Sequence, residues 1–396
     1  MKNHFICLIF VVLVAFSCDK GISPIIAVNS ATSYFQDIHG HCLFDKPFQG
    51  VYSFSDNRAL VLINEKFGYI DINGKEVVPC VYDDAWFYAD GRARVEINDK
   101  YGFIDEDGKQ IINCIYDYAF DFCEEMAIVE LNDKYGYINK EGKLLTPCQY
   151  DDAEDFNEGM AVVEVNGKSG YINKEGSLLV PCQYDDADDF SDGLAVVCMD
   201  GKYGYVDKKG DLVVTCQYDD AYSFSEGMAA VELNGKYGYV NKKGDLVILC
   251  KYDDTYSFHE GLACVEMEDK NGYINKKGDL VIPCIYDNAA NFQEGLAAVR
   301  INDRWGFIDK QGNLVIPCIY DSARSFLEGL SVVRINDKWG FIDKAGKQVI
   351  PCIYDFAFSF KNSLAEIEVN DKWGVIDKTG KVVVPCVCSS SYDIYW

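Results

Sequence analysis

The chain has 396 residues, with 37 Lys plus Arg against 63 Asp plus Glu and a formal net charge of −26. So acidic a chain repels polyanions, which excludes nucleic acid as the obvious partner, and 49 % hydrophobic residues exclude a disordered acidic tail. Four His leave little material for metal or acid–base chemistry, and 27 Tyr with 23 Phe favour strands over helices.

At the N-terminus, Lys2 is followed by an apolar run of 12 residues, Phe5 to Phe16. The run is short for a membrane span and suits the core of a signal peptide, predicted over residues 1–17. Ala15-Phe16-Ser17-Cys18 resembles the lipobox of bacterial lipoproteins, with Ala15 where Leu is usual and Phe16 where a small residue is usual. The resemblance implies a lipid on Cys18 and an exported protein anchored to the bacterial cell envelope, at the outer membrane or cell surface. Cleavage after Ser17 without a lipid, giving a secreted or periplasmic protein, is the alternative, followed by an uncleaved anchor. Residues 18–50 match no repeat and read as a tether and N-terminal cap. They hold the one His/Cys cluster, His39, His41 and Cys42, which a locally packed cap explains better than a metal.

From residue 51 to 388 the chain repeats itself. An aromatic-Gly pair recurs every 34 residues in ten copies, at Gly68, Gly102, Gly136, Gly170, Gly204, Gly238, Gly272, Gly306, Gly340 and Gly374. Ser169 and Asn271 replace the aromatic in two copies, and Trp305, Trp339 and Trp373 supply it in the last three. A period without slippage requires each unit to pack on its neighbour in one register. Alternating β-branched residues and frequent turn residues reject the helix pairs that share this period.

Each copy reads as a three-stranded antiparallel meander, for example Leu330 to Ile335, Trp339 to Ile342 and Gln348 to Pro351. The first turn carries Asn-Asp, Asn-Gly or Asp-Gly, as a two-residue type I′ hairpin requires. The second closes on a glycine, Gly74 through Gly380, suited to the left-handed region. A connector, Tyr-Asp-x-Ala-x-x-Phe-x-Glu-Gly, leads to the next unit, and its aromatics are expected to plug the space between meanders. The predicted architecture is all-β: ten such repeats in an open solenoid or superhelical array, with a closed propeller-like ring as the alternative and residues 389–396 as a tail.

The segment Lys-Trp-Gly-Phe-Ile-Asp-Lys-x-Gly-Lys-x-Val-Ile-Pro at 338–351 resembles the WG (or KWG) repeat of bacterial proteins. The resemblance covers roughly residues 54–388. It implies a β-repeat domain, often on exported proteins, and no established activity.

Ten of the 17 Cys recur at one position, Cys80 to Cys386. A ladder of buried thiols acting as small hydrophobes at the end of strand three is favoured over disulfides between rungs and over metal, for which ligands spaced by 34 do not converge. Asp71-x-Asn73-Gly74 resembles the start of a calcium loop, but Lys209, Lys243 and Lys277 at the position of Asn73 identify turn chemistry. The Asp after each connector Tyr repeats too regularly for catalysis and suits a backbone contact. No nucleophile–base set, nucleotide loop or cofactor motif is found, so the protein reads as no enzyme. What varies inside the fixed period is one connector row, with Trp86, Phe120, Tyr222, Tyr256, Arg324 and Phe358 as candidate ligand-binding residues. With acidic residues between them, they suit a glycan or a basic protein segment. The expected function is a binding or adhesion scaffold, or else a periplasmic assembly scaffold. Ligand identity and oligomeric state are open.

Overall fold

The computed structural model describes residues 25–28, 33–37, 42–43 and 48–395. The signal peptide, Cys18, His39 and His41 lie outside the described residues. Ten four-stranded antiparallel sheets follow one another along the chain. Blade 4 is typical, with strands Asp152–Ala153, Met160–Val165, Lys168–Asn173 and Leu178–Tyr184. The three-stranded reading is therefore corrected. The fourth strand is the Asp-Ala pair of the connector, where Asp152 and Ala153 pair with Glu164 and Val163. Two residues carry no alternation, so the strand has no signature of its own.

The recurring glycines have two different causes. Asn98 and Asp99 both lie at positive φ (54° and 58°), the I′ turn that Asn and Asp tolerate. Gly74, at φ 75°, closes the second turn by donating its N–H to Asp71 O at 2.9 Å. The glycine of the aromatic-Gly pair has no such φ. At Gly340 a Cβ would lie 2.6 Å from Cys352 N and 2.7 Å from Ile350 O, because the last strand bulges across it. The motif thus records a close approach of two backbones.

Blades are held together by apolar clusters drawn from neighbouring repeats. Between blades 4 and 5, Met160, Val162, Tyr171, Val180 and Tyr184 pack on Ala187, Phe190 and Val197. The Tyr171 and Phe190 rings meet edge-on at 4.9 Å, and the same contact recurs from Tyr69–Tyr88 to Phe307–Phe326. The connector aromatics do plug the space between units. The connector Asp clamps blades from outside: Asp117 pairs with Lys100 of blade 2 and accepts the Asn132 N–H of blade 3 at 2.7 Å. A second series ties each Glu-Gly turn to the next blade, as when Gly159 N donates to Glu124 Oε2 at 2.9 Å and Lys174 Nζ lies 3.1 Å from it. The ladder cysteines are free thiols, half-buried where full burial was expected, and those from Cys80 to Cys352 each lie beside a carbonyl of their own blade, as Cys182 Sγ does at 3.6 Å from Val163 O.

The array is closed, and the open solenoid is corrected in favour of the ring. A three-stranded sheet joins Ile25–Val28 and Tyr34–Asp37 to the C-terminal Ile394–Tyr395. Val28 pairs with Ile394 and Ala27 with Tyr395, the register in which Gly50 and Val51 pair with Leu62 and Val61 of blade 1, 34 residues on. On one side, Phe35, Phe48, Val51, Ala59, Val61 and Ile70 form a cluster. It is reproduced one period later by Tyr69, Tyr82, Ala85, Ala93, Val95 and Ile104. On the other, Val28 and Ile394 pack on Val375 and Val384 of blade 10, and Gln36 Nε2 donates to Val383 O at 2.8 Å. The supposed cap thus contains a decayed eleventh repeat, completed by a strand from the supposed tail. Ser33-Tyr34 stands where Ser169-Gly170 and its kin stand, which hid it from self-comparison. Sheets pack roughly 10 Å apart, so eleven of them enclose a wide ring.

Candidate binding surface on the inner edge of the ring

The last strand of each blade is its outer edge, with exposed apolar residues such as Leu249 and Ile353. The two-residue strand is the inner edge. The six candidate residues stand at equivalent points of blades 2, 3, 6, 7, 9 and 10; five lie one step past this strand, and Trp86 lies within it because blade 2 extends it to Asp84–Ala89. Their backbone is pinned. Phe120, Tyr256, Arg324 and Phe358 each donate an N–H at 3.0 Å to the neighbouring strand of their own blade. The carbonyls of Trp86, Tyr222 and Tyr256 accept the hydroxyls of Tyr69, Tyr205 and Tyr239 of the preceding blade at 2.6–2.8 Å. The side chains are not pinned: Phe120, Tyr222, Tyr256 and Phe358 are exposed, and Trp86 and Arg324 half-buried. The frame fixes where each side chain starts and leaves its identity free, as variation along the row implied.

The residues are sorted around the ring instead of alternating. Blades 3 to 5 present an acidic arc. Glu154 is pushed up to about 7 by burial and then by Asp189, Asp152, Asp188 and Asp186. Asp155 is pushed up to about 6 by burial, Asp189 and Asp121, and Asp188 likewise to about 6. These carboxyls touch water yet have protein on most sides, as groups lining an opening do. Solvent screening reduces the shifts, while crowding of like charge fixes their direction.

Two arginine–aromatic clusters face the same opening. In the first, the Arg94 guanidinium lies 3.9 Å over Trp86 and 5.4 Å from Tyr118. Arg94 is 6 % exposed, and its Nε lies 3.3 Å from the Asp121 carboxylate. In the second, the Arg324 guanidinium lies 5.1 Å from both Trp339 and Phe356 and 5.7 Å from Phe358. Phe358 in turn faces Trp373 at 5.6 Å with a tilt of 31°. Arg300 and Arg334 flank it, at 6.0 Å from Trp305 and 5.6 Å from Trp339. Burial lowers the Arg324 guanidinium from its ordinary value. Sequence reasoning missed Arg94, Arg300, Arg334 and Phe356. The signal was there: each breaks a position otherwise aliphatic, acidic or small.

The other candidates fall to structural roles or outside the site. Asp71 spends its carboxylate on its own turn, accepting the N–H of Asn73 and of Lys75 at 2.9 Å each. Cys42 and His259 are exposed. Among the described residues no group of three or more His, Cys, Asp or Glu is placed to hold a metal.

Ten consecutive segments, from 67–101 to 373–395, match the model of the WG containing repeat. The chain belongs to the WG-repeat family. Among curated proteins none matches it. Several solved structures are similar to this WG-repeat ring at low identity. A eukaryotic initiation factor is 11 % identical over 91 % of this chain and 95 % of its own, with a TM-score of 0.41. The dihydro-heme d1 dehydrogenase NirN is 14 % identical over 65 % and 71 %, with 0.33. PorZ, a surface component of the type-IX secretion system of Porphyromonas gingivalis, is 9 % identical over 90 % and 60 %, with 0.25. At these scores the likenesses carry no argument about what the WG-repeat ring binds.

Proposed function

We propose that this WG-repeat protein is a non-enzymatic binding scaffold of the bacterial cell envelope. It is exported by residues 1–17, held by a lipid on Cys18, and takes a protein or glycan ligand on the inner edge of its ring without a cofactor. The observation that carries the binding reading is the inner row itself. Its backbone is fixed by hydrogen bonds from two blades, while its side chains are exposed and differ from blade to blade. Catalysis asks for one distinctive set of groups, whereas a graded row of aromatic, acidic and basic side chains suits recognition.

Two experiments test this. A photo-crosslinking residue placed at Tyr222, Tyr256 or Phe358 in cells should form adducts, and one at Leu249 on the outer edge should not; adducts equal at both edges, or none, defeat the reading. Membrane fractionation with protease treatment of whole cells tests the address. The wild type should be membrane-bound and digested from outside, and Cys18→Ala should leave the membrane. Protection in intact cells would replace a surface binder by a periplasmic scaffold, and an unchanged Cys18→Ala would remove the lipid.

A further inference from the structure

The two arginine–aromatic clusters occupy corresponding places in different blades. In each, the guanidinium rests between the aromatic-Gly ring of its own blade (Tyr101, Trp339) and the first inner-strand residue of the next (Tyr118, Phe356). In the first cluster the next blade also supplies the counter-ion, Asp121. The residue corresponding to Asp121 in the second cluster is Ser359. Among the described residues Arg324 has no carboxylate within ion-pair distance, although the chain carries 63 Asp plus Glu. A guanidinium held on aromatic faces and partly desolvated is a strong site for one planar anion.

We propose that the Arg324 site of blades 9 and 10 binds the carboxylate of an acidic sugar, a uronate residue of a glycan. The inference rests on the binding reading above and names the ligand class for it. Ligand carboxylate takes the place that Asp121 has beside Arg94. The exposed Phe358, tilted by 31° against Trp373, receives the flat C–H side of the pyranose, and Ser325 and Ser359, which follow Arg324 and Phe358 in the chain, are the hydroxyls at hand for the ring hydroxyls. A long polyanion does not fit, because successive charges would meet the acidic arc of blades 3 to 5. A single uronate or a widely spaced one meets only the arginines.

The test is an NMR titration of the full mature chain with methyl β-D-glucuronide and, in parallel, methyl β-D-glucoside. Binding should favour the glucuronide at least tenfold and perturb the Trp339 and Trp373 indole signals. Arg324→Gln should remove that preference. Ser359→Asp, which places in blade 10 the carboxylate that blade 3 has, should fold normally and abolish glucuronide binding. Equal binding of the two glycosides, unchanged binding by Ser359→Asp, or tighter binding of an acetylated aspartyl peptide each overturns the proposal. If no glycoside binds while crosslinks from Phe358 persist in cells, the uronate is wrong and the binding scaffold stands. If those crosslinks are also absent, the scaffold reading fails with it.

Discussion

The acidic arc of blades 3 to 5 and the arginine–aromatic arc of blades 8 to 10 share one backbone. Glu154 and Arg324 stand at the same point of the repeat, each donating an N–H at 3.0 Å to the strand beside it. The Lys–Asp clamp between blades is present in both arcs, as Lys134–Asp151 and Lys338–Asp355. The change of charge lies in side chains facing the opening, while buried positions differ only in kind of filling, as Tyr171 against Phe341 and Val180 against Ile350. The frame is over-determined by apolar clusters and two polar ladders, so the inner surface can change from crowded carboxylates to arginine on tryptophan without altering the fold. Stability resides between the blades, and the proposed recognition on their inner ends.

The hardest test is to damage the frame in each arc by the same change. Gly136→Ala and Gly340→Ala place a Cβ 2.8 Å and 2.6 Å from the nearest backbone atom of the last strand. Each should cost about 3 kcal/mol in denaturant unfolding, and the two should agree within experimental scatter. Unequal losses would mean that the arcs differ in frame as well as surface. Next comes Asp121→Ser, which leaves Arg94 buried with no carboxylate beside it. Because the Asp121 side chain is 44 % exposed, the expected loss is about 2 kcal/mol, below that of a fully buried pair. A neutral outcome would show that aromatic contact and the Ala119 carbonyl, which accepts from Arg94 Nη1, satisfy such an arginine, and would weaken the case for an anion at Arg324.

Acidity should separate the arcs further. Glu154, Asp155 and Asp188 hold their protons more tightly in the folded ring than in the unfolded chain, about 7, 6 and 6 against ordinary values of 4.5, 3.8 and 3.8. Raised carboxyls contribute stability when protonated, and that contribution is lost as pH rises through 6 to 7. The clamp carboxylates such as Asp151, lowered by Lys134 and the Asn166 N–H, act oppositely and weaken the fold only as pH falls below the ordinary carboxylate range. The midpoint of thermal unfolding should therefore be higher at pH 5 than at pH 8. The triple change Glu154→Gln, Asp155→Asn, Asp188→Asn should flatten that rise. A rise that survives it would move its origin to Glu366, which burial also pushes up to about 7, or to the net charge of the chain.

Much of the frame was legible in the sequence because it is periodic. Ten glycines, nine connector tyrosines and turn pairs such as Asn98-Asp99 gave period, strands and turns. The innermost strand was not, since Asp152–Ala153 is too short to show alternation. Nor was closure: the eleventh unit has lost the aromatic-Gly glycine and the ladder cysteine that mark the others, and keeps buried volumes such as Phe35 and Phe48 with the short Asp37-Ile38-x-Gly40 match to Asp71-Ile72-x-Gly74. The candidate row was found by its variation, but its sorting into arcs was not. Arg324 meets Phe356 and Phe358 of the next blade, and only the ring's geometry brings them together.

The smallest effect measures how far the inner charge reaches into the frame. Lys134→Met and Lys338→Met remove corresponding cations from exposed clamps in the two arcs. Exposed pairs contribute little, and at 1 M salt, where the screening length is about 3 Å, both variants should unfold within error of the wild type. At about 0.01 M salt the screening length grows to roughly 30 Å, and the arcs should part. Losing Lys134 leaves Asp151 unopposed in the arc that carries Glu154 and Asp155, so this variant should be the less stable one. Losing Lys338 leaves Asp355 unopposed in the arc that carries Arg324 and Arg334, whose positive charge should soften the repulsion. If the two variants stay equal at low salt, the field of the inner arcs ends at the inner edge, and ring stability is independent of what the ring is built to bind.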